Sequence, residues 1–114
     1  MKNIFITSAL RTAVGTLGKS LKNIASHELG SSVILNTIKK STIKNEDVDE
    51  VIMGQVLTGG VGQNPARQAA INAGLPKEKP AYIVNQVCGS GLRSVASAYQ
   101  SLQAGDAKII IAGG

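Results

Sequence analysis

The sequence is short of the residues that specify several common kinds of protein. It contains one cysteine, Cys88, so no disulfide can form within the chain. It has no tryptophan, and aromatic residues make up only 3%, so any core must be packed from Ile, Val, Leu and Ala. No basic stripe with interleaved aromatics occurs, and that absence disfavours a nucleic-acid partner. No apolar run approaches the length that crosses a bilayer, so no membrane association is expected. The opening residues MKNIFITSAL are apolar only briefly and are broken by Thr7 and Ser8. Without a clean small-residue cleavage site after them, they read as a strand and not as a secretion signal. A lone thiol in such a chain points to a reducing, cytoplasmic compartment.

What remains is the balance of a globular domain. Hydrophobic residues make up 43% and charged residues 17% of 114 positions, a size usual for one domain. Twelve Lys and Arg stand against seven Asp and Glu, for a net charge of +5. The basic residues are scattered, with Lys39-Lys40 and Lys77/Lys79 the only tight pairs. Such a charge suits an anionic small molecule but does not name one. Thirteen glycines imply several tight turns or close backbone contacts.

Strand and helix signals alternate along the chain. Ile4-Phe5-Ile6 predicts a buried strand over Asn3–Ser8. Arg11 to Lys22 is irregular. Ser26 is placed to cap a helix reaching about Lys40, with Leu29, Val33, Ile34 and Ile38 on one face. Glu28 at its start and Lys39-Lys40 at its end suit the helix dipole. Asp47–Glu50 forms a polar link into a second strand at Val51-Ile52-Met53. The glycine-rich loop Thr58–Gly62 follows. Asn64-Pro65 then starts a helix with Asn as cap and Pro in the first turn. Ala66, Ala69, Ala70 and Ala73 give that helix a small face, and Gly74 and Pro76 stop it. Tyr82–Val87 predicts a third strand. A helix over Gly89–Ala104 follows directly, with Leu92, Val95, Ala96, Tyr99 and Leu102 as its apolar face. Gly105 ends it, and Lys108–Ala112 is a fourth strand. This alternation predicts an α/β fold with a mainly parallel sheet flanked by helices.

The segment Asn85–Val95 carries the chemistry. Cys88 sits where a buried strand gives way to a helix. Free N–H groups and partial positive charge at the helix start stabilise a thiolate. The carboxyl end of a parallel sheet is where α/β folds place ligands. Gly89 and Gly91 leave room for a substrate, and the Cys88 backbone N–H is positioned to face a developing oxyanion. The alternative is a small buried hydrophobe, the common fate of a free cysteine. Ser90 and Ser94 read as helix-turn hydroxyls, since no nearby His or Asp activates them. Thr58–Gly62 lacks the Gly-Lys-Ser/Thr ending of a phosphate loop. Glu46, Asp47, Asp49 and Glu50 lack an accompanying His or Cys, so they read as a solvated acidic link; no metal is expected.

Asn85-Gln86-Val87-Cys88-Gly89-Ser90-Gly91-Leu92 resembles the acyl-enzyme signature of thiolases. Ser8–Gly15 resembles the opening strand and turn of that family. Gly62–Ala69 resembles its next recurrent stretch, and Gly105-Asp106 through Gly114 the strand after the nucleophile helix. These matches occur in the family's order over essentially the whole chain. The resemblance implies a fold of two duplicated βαβαβαββ halves, of which residues 1–114 would be an incomplete N-terminal domain, with the C-terminal domain absent. It implies acyl exchange between coenzyme A thioesters through an acyl-Cys88 intermediate. Acyl-CoA and acetyl-CoA are then substrates, no separate cofactor is expected, and the residues that contact coenzyme A are not identified. The Cys88 N–H would contribute to an oxyanion hole.

The resemblance also implies a homodimer or homotetramer for the whole protein. The stretch Gly62–Ala69 and Cys-Gly-Ser-Gly look most like the short-chain biosynthetic branch. A 3-oxoacyl-CoA thiolase of fatty-acid β-oxidation is the nearest alternative, and a non-catalytic fragment or interaction module is an alternative of another class. The family also uses a histidine and a second cysteine from its other half. The only histidine here, His27, lies far from any such motif and reads as structural.

Overall fold

Whether the helices form where the periodicity places them depends on their ends. The computed structural model describes residues 1–114. Helix α1 runs over Ser26–Ser41. Ser26 is not its cap but its first residue, and its hydroxyl donates to Gln55 Oε1 at 3.0 Å. The residue before it, Ala25, is held by Glu28, whose Oε2 accepts the Ala25 N–H at 3.2 Å. Ile34 and Ile38 are buried, Glu28 lies in the first turn, and Lys39-Lys40 lie in the last. A short 3₁₀ turn at Asn45–Asp47 leads into strand β1, Glu50–Gly54.

Helix α2, Pro65–Asn72, starts as the sequence predicts. The Asn64 side chain accepts the Arg67 N–H at 3.1 Å and donates to the Ala81 carbonyl at 2.9 Å. Strand β2 is Ala81–Val84, helix α3 is Ser90–Ala104, and strand β3 is Ile110–Gly113. Gly105 closes α3 in the left-handed conformation (φ 85°), which glycine adopts at little cost.

The three strands form one parallel sheet in the order β2-β1-β3. Side chains alternate across a strand, so β1 serves two layers. Val51 joins Ile34, Ile38, Val48, Ala69, Ala70, Ala73 and Leu75 in the main core, with Met53 and Ile111 packed against it. Ile52 and Gly54 face the other way. Ile52 is fully buried, and Gly54 lies under the start of α3. Alanines on α2 let it sit close to both the sheet and α1.

Two further expectations are corrected by the packing. Asn3–Ser8 is not a strand. Phe5 and Ile6 are 78% and 80% exposed. The segment is tied instead by its start: the Lys2 N–H donates to Gln103 Oε1, and Gln103 Nε2 donates to the Lys2 carbonyl. A short apolar run becomes a strand only when a ladder partner satisfies its backbone, and here β1 and β3 pair directly with each other. Ile4–Thr12 lines a cavity of about 820 Å³ shared with α1, α3 and β3.

The second correction concerns α3. Its buried residues are Ser90, Ser94 and Ala98, while Leu92 is 78% exposed and Val95 and Tyr99 are partly exposed. Small side chains face the sheet because the helix start is too close to Gly54 for larger ones.

Asp49 ties the starts of β1 and β3 together. Its Oδ2 accepts the N–H groups of Lys108 and Ile109 at 2.7 and 3.1 Å, and Lys79 Nζ lies 3.8 Å from Oδ1. The bonds from Lys108 and Ile109 hold this carboxyl below its ordinary value against a smaller opposing effect of burial. A depressed folded-state pKa contributes stability that is present above the unfolded value and lost as pH falls through the folded one. Melting temperatures of the parent chain and of Asp49→Asn are therefore expected to converge as pH drops from 6 to below about 4. A constant gap over that range would remove the carboxylate from the account of β3 docking.

Candidate active site

The turn between β2 and α3 is built by side-chain bonds to its own backbone. Strand β2 stops at Val84, earlier than the hydrophobic run suggests, and Asn85–Gly89 forms a turn before the helix. Asn85 Oδ1 accepts the Val87 N–H at 2.8 Å, a short polar side chain folding the chain back on itself. Asn85 Nδ2 donates to the Val56 carbonyl at 3.2 Å, fixing the turn to the loop after β1. The buried Ser90 hydroxyl accepts the Gln86 N–H at 2.9 Å and donates to the Val87 carbonyl at 2.6 Å. Between these clamps Val87 adopts φ 50°, a left-handed conformation that is unfavourable for a β-branched residue.

Cys88 follows Val87 and is exposed, with a free thiol. It is thus not the small buried hydrophobe that was the alternative. Its backbone N–H meets no acceptor in the chain, while its neighbours Gly89 and Ser90 donate to the Gln86 and Val87 carbonyls. Helix α3 begins two residues later with no side-chain cap. The thiol therefore lies beside a helix start that no side chain caps.

Two glycines let the helix start sit on the sheet. A Cβ on Gly54 would lie 2.6 Å from the Ser90 carbonyl carbon and 2.7 Å from the Gly91 nitrogen. One on Gly114 would lie 2.7 Å from the Gly54 Cα. Ser94, fully buried, reaches both the Gly91 and Gly113 carbonyls, at 2.6 and 2.7 Å. Strand β1, helix α3 and the residues after β3 thus meet beneath the Cys88 turn, at the carboxyl end of the sheet.

The other candidates lie elsewhere. The ring Nδ1 of His27 on α1 meets Asn72 Nδ2 of α2 at 3.2 Å, and no hydrogen bond joins His27 to Cys88. Ser90 and Ser94 are committed to backbone carbonyls. The loop Thr58–Gly62 is exposed except at Val61, whose carbonyl accepts Gln68 Nε2 at 2.8 Å. Asp47 accepts the Lys44 N–H at 2.8 Å, and Asp49 is the tie to β3 already described. Glu50 is shifted upward, first by burial and then by Asp106. No helix is long and apolar enough to cross a membrane. Asn85 and Val87 were the turn-builders that sequence reasoning did not single out. The one local signal was an Asn two residues before a position of special backbone.

A parallel α/β sheet with an exposed thiol on a strained strand-to-helix turn defines the class: an α/β protein that presents a cysteine at the carboxyl end of its sheet. The family model described as thiolase, N-terminal domain, matches residues 4–114, and the chain belongs to the thiolase family. Its similarity to curated relatives is high. It is 56% identical over 114 residues to an acetyl-CoA acetyltransferase of Cupriavidus necator, covering 100% of this chain and 29% of that protein. It is 57% identical over 111 residues to the enzyme of that name from Chromobacterium violaceum, covering 97% and 28%. For the Escherichia coli protein of that name the identity is 52% over 114 residues, covering 100% and 29%. The chain thus spans less than a third of the length of these relatives.

Proposed function

We propose that Cys88 is the acyl-accepting nucleophile of a thiolase-type acyltransferase acting on acyl-CoA and acetyl-CoA. The observation that carries this reading is the exposed Cys88 on a strained turn ahead of α3, with its own backbone N–H free. In the first step the thiolate attacks the thioester carbonyl, and the carbonyl oxygen takes up negative charge. The Cys88 N–H donates to that oxygen. Collapse breaks the bond to coenzyme A, which leaves as its thiolate and takes up a proton, and the acyl group stays on Cys88. In the second step acetyl-CoA gives up an α-proton, matching the one taken up by coenzyme A, and its enolate carbon attacks the acyl carbonyl; the bond to Sγ breaks, releasing 3-oxoacyl-CoA and restoring the cysteine thiolate. The reverse sequence is thiolytic cleavage.

The name these relatives share supports an acetyl-CoA acetyltransferase activity for the whole protein, with a 3-oxoacyl-CoA thiolase as the alternative in acyl length. This chain of 114 residues holds one Cys and one His, and that His is engaged by Asn72. Positioned acid and base groups each contribute about 10²–10⁴-fold, so the isolated chain is expected to take up acetyl groups slowly and not to turn over.

The test is incubation of the chain with acetyl-CoA, followed by peptide mass spectrometry. A single acetyl group on the peptide containing Cys88, absent from Cys88→Ala, is expected. Label that persists on that peptide in Cys88→Ala, or a parent chain that alkylates at Cys88 yet never acetylates, would remove Cys88 from the role. Sustained cleavage of acetoacetyl-CoA by the isolated chain would refute the expected lack of turnover.

A further inference from the structure

We propose that Ser90 is a positioning residue for acyl transfer: acting through the Val87–Cys88 peptide, its hydroxyl aims the Cys88 N–H at the oxyanion. The proposal rests on the reading of Cys88 as nucleophile and adds the device that orients its second functional group.

The geometry begins with one planar unit. In a trans peptide the carbonyl of one residue and the N–H of the next point in opposite directions. The Val87 carbonyl accepts two bonds from Ser90, one from the hydroxyl at 2.6 Å and one from the backbone N–H at 3.1 Å. It is therefore held toward the first turn of α3. The Cys88 N–H, on the other side of the same plane, is turned away from that helix and meets no acceptor in the chain. Its direction is set without consuming its bonding capacity.

Holding this plane has a cost that local preference opposes. Val87 stands at φ 50°, a left-handed backbone that an L-residue adopts only at a cost. Both of its backbone polar groups are clamped, the N–H by Asn85 and the carbonyl by Ser90. Ser90 has the firmer seat. It is buried against Gly54, and its hydroxyl also takes the Gln86 N–H at 2.9 Å. Removing the hydroxyl orphans that N–H and releases one of the two bonds that keep the peptide plane turned.

The test separates oxyanion alignment from thiol access. Two reagents are used on the 114-residue chain. With p-nitrophenyl acetate, a bond forms between Cys88 Sγ and the acetyl carbon, and p-nitrophenolate leaves after a tetrahedral oxyanion. With iodoacetamide, sulfur displaces iodide and no oxyanion forms. Losing an oxyanion donor outright costs about 10²–10³-fold, so misaligning one in Ser90→Ala is expected to slow acetylation by about tenfold or more. Alkylation should stay within about twofold of the parent, because no oxyanion donor takes part in it.

Adding Val87→Gly to Ser90→Ala should recover most of the acetylation rate, since glycine holds the left-handed turn without the clamp. If Ser90→Ala fails to fold, Asn85→Ala loosens the same residue from an exposed position and should show the same split. Unchanged acetylation in the variant, or an equal fall in both reactions, would overturn the proposal while leaving Cys88 as nucleophile. A parent chain that alkylates but does not acetylate would overturn the reading of Cys88 and the proposal with it.

Discussion

Gly54→Ala is expected to destabilise the chain by about 3 kcal/mol, the upper part of the range for forcing atoms into a packed site. The added methyl would lie 2.6 Å from the Ser90 carbonyl carbon and 2.7 Å from the Gly91 nitrogen. Both are backbone atoms of the helix start, so no flexible side chain can yield. Either α3 lifts from the sheet or β1 moves from its place between β2 and β3. Lifting α3 would also break the bond from Ser94 to the Gly113 carbonyl. For a domain of this size each kcal/mol corresponds to about 4–8 °C in melting temperature, so a fall of more than about 10 °C is expected by circular dichroism. A variant that melts within about 2 °C of the parent would mean that α3 does not sit this close to β1.

Asn64→Ala is expected to cost about 2–3 kcal/mol, because three features are lost at one position. The side chain caps α2 through the Arg67 N–H, and it donates to the Ala81 carbonyl where β2 begins. Its backbone is left-handed, at φ 45°, which Asn tolerates better than Ala. Arg67 adds a second link to the same stretch through the Lys79 carbonyl at 3.0 Å. Two companion variants divide the effect. Asn64→Gly loses the side-chain bonds but relieves the backbone, and should melt above Asn64→Ala. Asn64→Asp keeps the cap and loses the donor to Ala81, at a cost of about 1 kcal/mol. Equal melting of the Ala and Gly variants would show that the left-handed backbone contributes nothing.

The start of α2 and the stop of α3 were legible because their signals are local. Asn64-Pro65 carries its own cap, and Gly105 carries the left-handed stop of α3. Ile34 and Ile38 lie buried as the spacing in α1 requires. The same reasoning failed for Asn3–Ser8 because strands need partners. An apolar triplet states a preference for burial, but which strand accepts it depends on residues a hundred positions away. It failed for the face of α3 because periodicity ranks side chains by hydrophobicity. The distance between backbones at Gly54 admits only small ones.

The cysteine and its flanking glycines could be read as a candidate nucleophile before any fold was known, since a helix start directly after a strand favours a thiolate. The turn that presents it could not. Its shape depends on Asn85 reaching Val56 and on Ser90 being buried against Gly54, contacts between segments some thirty residues apart. By itself, the sequence determined the α/β alternation, the N-cap of α2, the C-cap of α3, and the family to which the chain belongs, because each is written in neighbouring residues. Tertiary structure alone decided the order β2-β1-β3, the small-residue face that α3 turns to the sheet, and the left-handed Val87 behind the exposed Cys88. Those features arise from close approach between distant backbones, and local preference does not encode such distances.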